Sequence, residues 1–218
     1  MTEVLRKDAA RNRDRLLTAG RELFAQRGLD ASLNDVAHHA GVGVGTAYRR
    51  FANKEELIDA IWLQQLDELE TILHDALSAE DPWEGLVTYL EGALAIQAKD
   101  RGIAQLLSGR RVRPDQHDSQ RDTIAPLVNQ VAARARDAGV VRNDLTGTDL
   151  IFLQIAVTAI SGTVADGATV DDRDDLDELY RRYLWIALDG LRPTNATAPL
   201  PVPALTTEQT HLLLQPKG

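Results

Sequence analysis

The sequence contains no cysteine. That absence removes disulfides, thiolate zinc sites and cysteine nucleophiles together. Lysine is scarce as well: Lys7, Lys54, Lys99 and Lys217 are the only lysines among 24 basic residues. Aromatic side chains make up 5% of the chain, too few for an obvious aromatic cage. No apolar run reaches the roughly 18 residues that a membrane-spanning helix needs. The opening segment MTEVLRKDAARNRD lacks the apolar stretch of a secretory leader. These absences predict a cytoplasmic protein with no membrane partner. Runs of alternating β-branched residues are also missing, and the remaining periodicity is helical, which predicts an all-α fold.

What is present is an ordinary globular mix, 44% hydrophobic and 26% charged over 218 residues. The length suits one or two domains of roughly 100–150 residues each. A net charge of −9 argues against a nucleic-acid partner until it is read by segment. Residues 1–56 hold ten basic and eight acidic side chains, a balance of +2, and the remainder holds 14 and 25, a balance of −11. Any phosphate-binding surface therefore belongs to the first quarter of the chain.

The apolar stripe Leu16, Leu17, Ala19, Leu23 and Phe24 predicts a first helix from about Lys7 to Arg27, with Gly28 as its stop. Ser32 is placed to cap a short second helix, Leu33 to Ala40, with Asp35 in a capping-box position. After Gly41-Val42-Gly43 a third short helix runs from about Val44 to Phe51. Asn53 and Glu56 then start a long fourth helix that carries Leu57, Ile58, Ile61, Trp62, Leu66, Leu69, Ile72, Leu73 and Ala76. Further helices are predicted at about 82–99, 101–108 and 119–138, with a polar loop over 108–118. Thr146 and Asp149 cap the next helix, where Leu150–Ile160 is apolar almost all round. The last helix repeats Leu176, Leu179, Tyr180, Tyr183, Leu184, Ala187, Leu188 and Leu191. From Pro193 the chain becomes rich in Pro, Thr and Ala, which predicts an extended tail that Leu212–Leu214 tacks back onto the body. The expected organisation is a domain of short helices over 1–54, a helical domain over 55–192 and an extended Pro-rich tail over 193–218.

Two short helices around a glycine-containing turn form the helix-turn-helix pattern, whose second helix enters the major groove. Gly43, Val44 and Gly45 leave the start of that helix open to a phosphate. Thr46 and Tyr48 offer hydroxyls, Arg49 and Arg50 offer charge, and Lys54 follows on the next helix. A bidentate arginine to guanine is the commonest specific base contact. A nucleotide loop does not fit GVGVG, because the spacing differs from the dinucleotide fingerprint and no strand precedes it. His38 and His39 are adjacent and point apart, so they do not make a metal pair. The carboxylates at Asp75, Asp166 and Asp171–Asp175 read as helix-end charge and solvated surface. No catalytic residue, metal or cofactor is predicted.

The string from Leu33 to Leu57, LNDVAHHAGVGVGTAYRRFANKEEL, together with Ala19, Leu23, Phe24 and Gly28, resembles the signature of the TetR family of transcriptional regulators. The resemblance implies an N-terminal three-helix DNA-binding domain and a C-terminal helical domain for ligand binding and dimerisation. It implies DNA contacts from Ser32, Thr46, Tyr48, Arg49, Arg50 and Lys54. Gly43 stands where the family usually has serine, which removes a phosphate donor, and Arg50 stands where histidine or tyrosine is common, which adds charge. Later in the chain the likeness is confined to architecture, the run GVVRNDLTGTDL and the segment DGLR.

The expected partners are double-stranded operator DNA, a second copy of the chain and a small-molecule effector. Two strongly apolar helices suggest the homodimer surface, with Leu150, Leu153, Val157, Leu176, Leu179, Tyr180, Tyr183, Leu184 and Ala187 as its candidates. The middle helices are expected to enclose an apolar cavity lined by Trp62, Leu66, Leu69, Trp83, Leu86, Tyr89, Leu90, Leu106, Leu127 and Val131, suited to a hydrophobic or amphipathic molecule. Arg110, Arg111 and Arg113 form either an anion-attracting loop or a solvated one. The function expected is a ligand-responsive repressor. The alternative is a helical ligand- or partner-binding module with weak or vestigial DNA binding.

Overall fold

A computed structural model describes residues 2–27, 30–99, 120–164, 175–195 and 198–214. The regular structure of the described residues is all helical, with no strand among them. The first elements are α1 (Thr2–Arg27), α2 (Leu33–His39), α3 (Val44–Arg50) and α4 (Lys54–Ser78). Then come α5 (Pro82–Lys99) and α6 (Ala125–Asp137), the latter entered through a π-helical turn at Gln120–Ile124. The chain continues with α7 (Gly147–Val164), α8 (Leu179–Leu191, led by a 3-10 turn at Leu176–Glu178) and α9 (Thr207–Leu214). Gly28 and the helix expected over 101–108 lie outside the described residues.

The chain divides into two compact units, residues 1–65 with 99–110, and residues 66–98 with 111–218. The first is built on Leu16, Leu17, Leu23 and Phe24 of α1, Leu33, Val36 and Ala37 of α2, Ala47 of α3, and Leu57, Ile58 and Ile61 of α4. Phe24 and Val36 are fully buried there. Capping sets the helix starts. Ser32 Oγ accepts from the Asp35 N–H (3.2 Å) while Asp35 accepts from the Ser32 N–H (2.8 Å), so two donors orphaned at the start of α2 are met reciprocally. The bonds from Ser32 hold the Asp35 carboxyl below its ordinary pKa. Asn53 Oδ1 caps α4 through the Glu56 N–H, and Glu56 reaches back to the Ala52 N–H, both at 2.8 Å.

Gly41 stops α2 with φ +61°, a left-handed conformation that favours glycine, and lets the Val42 N–H return to the Ala37 carbonyl at 2.9 Å. Gly139 closes α6 in the same way with φ +69°.

The second core takes Leu73 and Ala76 from α4, a face of α5 from Trp83 to Leu94, Val128, Val131 and Ala135 from α6, Leu150 and Val157 from α7, and Tyr180, Leu184 and Leu188 from α8. Arg134 of α6 donates to the Ala76 carbonyl at 3.1 Å and to the Ala79 carbonyl, meeting acceptors left open at the end of α4. Glu91 of α5 accepts from Trp185 Nε1 at 2.9 Å and from Arg181 at 3.3 Å, which ties α5 to α8. The Arg192 guanidinium lies 3.3 Å from the centre of the Trp83 ring.

The tail departs from the expected extended form, because α9 occupies Thr207–Leu214. Its start carries a capping box: the Thr206 N–H donates to Gln209 Oε1 (2.9 Å) and the Gln209 N–H to Thr206 Oγ1 (3.1 Å). Side chains of the body hold the segment before it. Thr148 donates to the Leu205 carbonyl (2.8 Å), Arg142 to the Ala198 carbonyl (3.1 Å), and the Leu200 N–H donates to Asp144 Oδ2 (3.3 Å). Asp144 is paired to Arg142, and that hydrogen-bonded pairing pulls its carboxyl down to about 2.

Candidate nucleic-acid interface

α3 is seven residues long and shows one face to its own core. Ala47 is fully buried there, and Val44 packs against the same cluster. The rest of the helix faces outward. Tyr48 is 48% exposed, and Arg49 and Arg50 are exposed beside it. The Arg49 guanidinium donates to Thr46 Oγ1 at 2.9 Å. That bond holds one arm of the fork along the helix and gives Arg49 a preferred direction before any partner arrives. Holding a rotamer-rich side chain in advance lowers the cost of ordering it on binding.

The entry to α3 is open. Its N-cap is Gly43, with no side-chain cap bond, and the first returning N–H groups are those of Thr46 and Ala47, both to the Gly43 carbonyl. The N–H groups of Val44 and Gly45 are among the first four of the helix, which have no carbonyl one turn back to reach. A Cβ on Gly45 would meet nothing within 4 Å, so that surface is clear for the approach of another backbone. Ser32 is exposed but already serves as the cap of α2. Lys54 is half-buried at the first position of α4. All the residues expected to meet DNA thus lie in the first unit, and Tyr48, Arg49 and Arg50 are its exposed polar set on α3. His39 makes a 2.6 Å contact with Glu22 of α1, a use in packing α2 on α1. Among the described residues no group of His, Asp or Glu is arranged to hold a metal ion.

The family model for the N-terminal domain of bacterial regulatory proteins of the tetR family matches residues 16–61, which contain this whole surface. A second model, the C-terminal domain of SbtR-like transcriptional regulators, matches residues 81–193. The chain belongs to the TetR family of transcriptional regulators. The crystal structure of a TetR transcriptional regulator from Streptomyces coelicolor is 30% identical, with a TM-score of 0.64 over 84% of this chain and 99% of that one. The structure of a TetR regulatory protein from Mycobacterium vanbaalenii is 27% identical, also with a TM-score of 0.64, over 86% and 99%. An HTH-type transcriptional regulator of Staphylococcus aureus strain USA300 is 38% identical over 64 residues, 29% of this chain. That match covers about a third (35%) of the Staphylococcus aureus protein's length. The protein is therefore a DNA-binding, helix-turn-helix regulator of the TetR family.

The residues expected in a ligand cavity separate into two groups. Leu69 and Tyr89 line a cavity of about 300 Å³ in the second unit. Trp83, Leu86, Leu90 and Val131 are buried in the core itself, with Leu66 and Leu127 packed against it. Trp62 is buried but lies in the first unit, and Leu106 with the arginines at 110, 111 and 113 falls outside the described residues. Sequence reasoning missed Gln154, Thr207, Thr210, His211 and Leu214, which also line the cavity. The signal was present in the 207, 210, 211, 214 spacing, one face of a helix, but the proline-rich neighbourhood hid it.

The expected dimer residues also divide. Leu150, Val157, Tyr180 and Leu184 are spent in the protomer's own core, and Leu153 packs on it. Leu176 and Leu179 are half-buried. One outward stripe of α7 holds Phe152 (half-buried), Ile155 (also at the cavity), Ala156 and Ala159, and one of α8 holds Tyr183, Ile186, Ala187 (half-buried) and Gly190, beside the exposed Arg181, Arg182, Trp185 and Asp189. Both sets follow the i, i+3, i+4, i+7 pattern of a single helix face.

Proposed function

We propose that the protein is a ligand-responsive repressor that binds palindromic operator DNA as a homodimer and is released by a small hydrophobic or amphipathic effector. The observation that carries the reading is the outward face of α3, where Tyr48, Arg49 and Arg50 stand together and Arg49 is pre-set by Thr46. In this assignment Tyr48, Arg50 and Lys54 position the backbone, with Gly43, Val44 and Gly45 admitting a phosphate, and Arg49 with Thr46 reads bases.

The dimer is supported by the paired apolar stripes on α7 and α8, which a monomer would leave in water. A homodimer of this kind would present two reading helices to half-sites about one DNA turn apart, near 34–36 Å. Leu69 at the cavity and Leu57 to Ile61 in the first core share α4, so a ligand that displaces Leu69 acts on a helix belonging to both units. Such a ligand must bind the two states with different affinity. Among the described residues no helix is long and apolar enough to cross a membrane.

The test is fluorescence anisotropy against DNA from upstream of the protein's own gene. Arg49→Ala is expected to cost about 1–3 kcal/mol and relax specificity at one base pair per half-site. Tyr48→Ala is expected to weaken all sequences alike. If both variants bind like wild type, α3 is not the reading helix.

A further inference from the structure

Two buried polar atoms of the second unit have no hydrogen-bond partner, Gln154 Nε2 and Thr210 Oγ1. Gln154 is 7% exposed and Thr210 is 4% exposed. Buried donors are almost always met, so two unmet ones facing one space call for an explanation. Both residues line the same cavity of about 300 Å³. They come from α7 and α9, which are far apart in the chain, so the convergence is a product of folding.

The rest of the lining sets the chemistry. Tyr89 brings a phenol hydrogen-bonded to Gln154, and its burial pushes the phenol's pKa up, so the ring stays neutral. Leu69, Ile124, Val128 and Ile151 make apolar walls. The described lining residues include no Asp, Glu, Lys or Arg. A charged ligand would lose its hydration there with little in return. A pure hydrocarbon would leave Gln154 and Thr210 unmet. At about 30 Å³ for each water-sized atom, the volume accommodates on the order of ten non-hydrogen atoms.

The remaining wall is the tail. Thr207, Thr210, His211 and Leu214 of α9 all face the cavity. The capping box at Thr206 and the bonds from Thr148 to Leu205 and from Asn129 to Thr207 (3.2 Å) fix the helix in that place. The C-terminal family match ends at residue 193, so this wall is a feature of the tail and not of the matched domain.

We propose that the cavity binds a neutral, mostly apolar molecule of on the order of ten non-hydrogen atoms, whose single polar group is held between the Gln154 amide and the Thr210 hydroxyl, with α9 closing the site. This deepens the effector-sensing role above and rests on it for its regulatory meaning. Size and polarity exclude long acyl chains and organic anions, and select compact alcohols, phenols, ketones or amides.

The probes are 1-naphthol, naphthalene and 1-naphthoate, titrated by calorimetry or fluorescence into the full chain. Wild type is expected to bind 1-naphthol about tenfold tighter than the other two. Thr210→Val, which keeps shape and helix, and Gln154→Met should each weaken 1-naphthol about fivefold while leaving naphthalene within about twofold. Removal of residues 204–218 should abolish 1-naphthol binding. The proposal is overturned by 1-naphthoate binding as tightly as 1-naphthol, by no binding of 1-naphthol to wild type, by equal losses for 1-naphthol and naphthalene, or by undiminished binding to the truncated chain. Operator release, read separately by anisotropy, distinguishes the two readings. Probes that bind as described without ever releasing DNA leave the site standing and sink the effector role. Release by other compounds with no probe bound does the reverse.

Discussion

The helix proposed to read DNA and the helix proposed to meet a second copy are built on opposite plans. α3 buries Ala47 and turns Tyr48, Arg49 and Arg50 outward, where water, a phosphate or a base edge can satisfy them. α8 buries Tyr180, Leu184 and Leu188 and still shows Tyr183, Trp185 and Ile186 to solvent. The first unit keeps its chemistry on its surface and closes its core without polar groups. The second buries the polar side chains of Thr148, Gln154 and Thr210 and leaves apolar area outside. The difference teaches that exposed polarity is self-sufficient in water, whereas the second unit's surface and interior both call for a partner.

The sharpest way to break the comparison is to remove the first core's centre. Phe24→Ala leaves a large cavity among α1, α2 and α4 and should cost about 3–5 kcal/mol. Calorimetry is expected to show the first unit's transition lowered and the second unit's retained. One merged transition, lowered as a whole, would show that the two cores do not melt separately.

Next in size is Ile186→Asp. Ile186 is 57% exposed, so the protomer should fold normally. The carboxylate would stand unpaired in the proposed interface, and the protein is expected to elute as a monomer under light scattering. Operator affinity should then fall on the order of 100-fold, about 2.7 kcal/mol. A dimer that persists would move the interface elsewhere.

Smaller effects compare the two caps. Ser32→Ala removes the cap of α2 and Thr146→Ala that of α7, where Thr146 accepts from the Asp149 N–H at 3.4 Å and returns its own N–H to Asp149 at 2.8 Å. Each should cost about 1 kcal/mol, seen as a shift in urea midpoint.

The smallest effect is local and pH-driven. The Asp144 carboxyl sits at about 2 when folded, held down by Arg142. A depressed carboxylate stabilises above its unfolded pKa, near 3.9, and that contribution fades as pH falls toward 2. The Leu200 amide, which donates to Asp144, should therefore lose hydrogen-exchange protection between about pH 4 and pH 2, once intrinsic rates are corrected. Unchanged protection at pH 2 would show that the tail is held by other bonds.

Much of the first unit was legible because its signals are local. The caps Ser32–Asp35 and Asn53–Glu56, the stop at Gly41 and the stripe through Phe24 each lie within a few residues and need no distant partner. The second unit was legible as helices but not as faces. α7 is apolar almost all round, so periodicity could not say that Leu150 and Val157 go inward while Ile155 and Ala159 go outward. Gln154 read as an interruption of that helix, and only the fold sets it beside Tyr89 and Thr210. The tail was misjudged by composition: five prolines from Pro193 onward mask an eight-residue helix with its own capping box.

The shared helix α4 carries a further consequence. Its 25 residues place Ile61 in one core and Leu73 in the other, with no break between them. Each residue turns a helix by about 100°. Leu57 and Ile61 are thus locked in phase within one core, and Leu73 and Ala76 within the other. A one-residue insertion inside either stretch would turn the residues beyond it by that angle, away from the core they fill. Substitutions along this stretch can be absorbed one at a time, but its length is fixed.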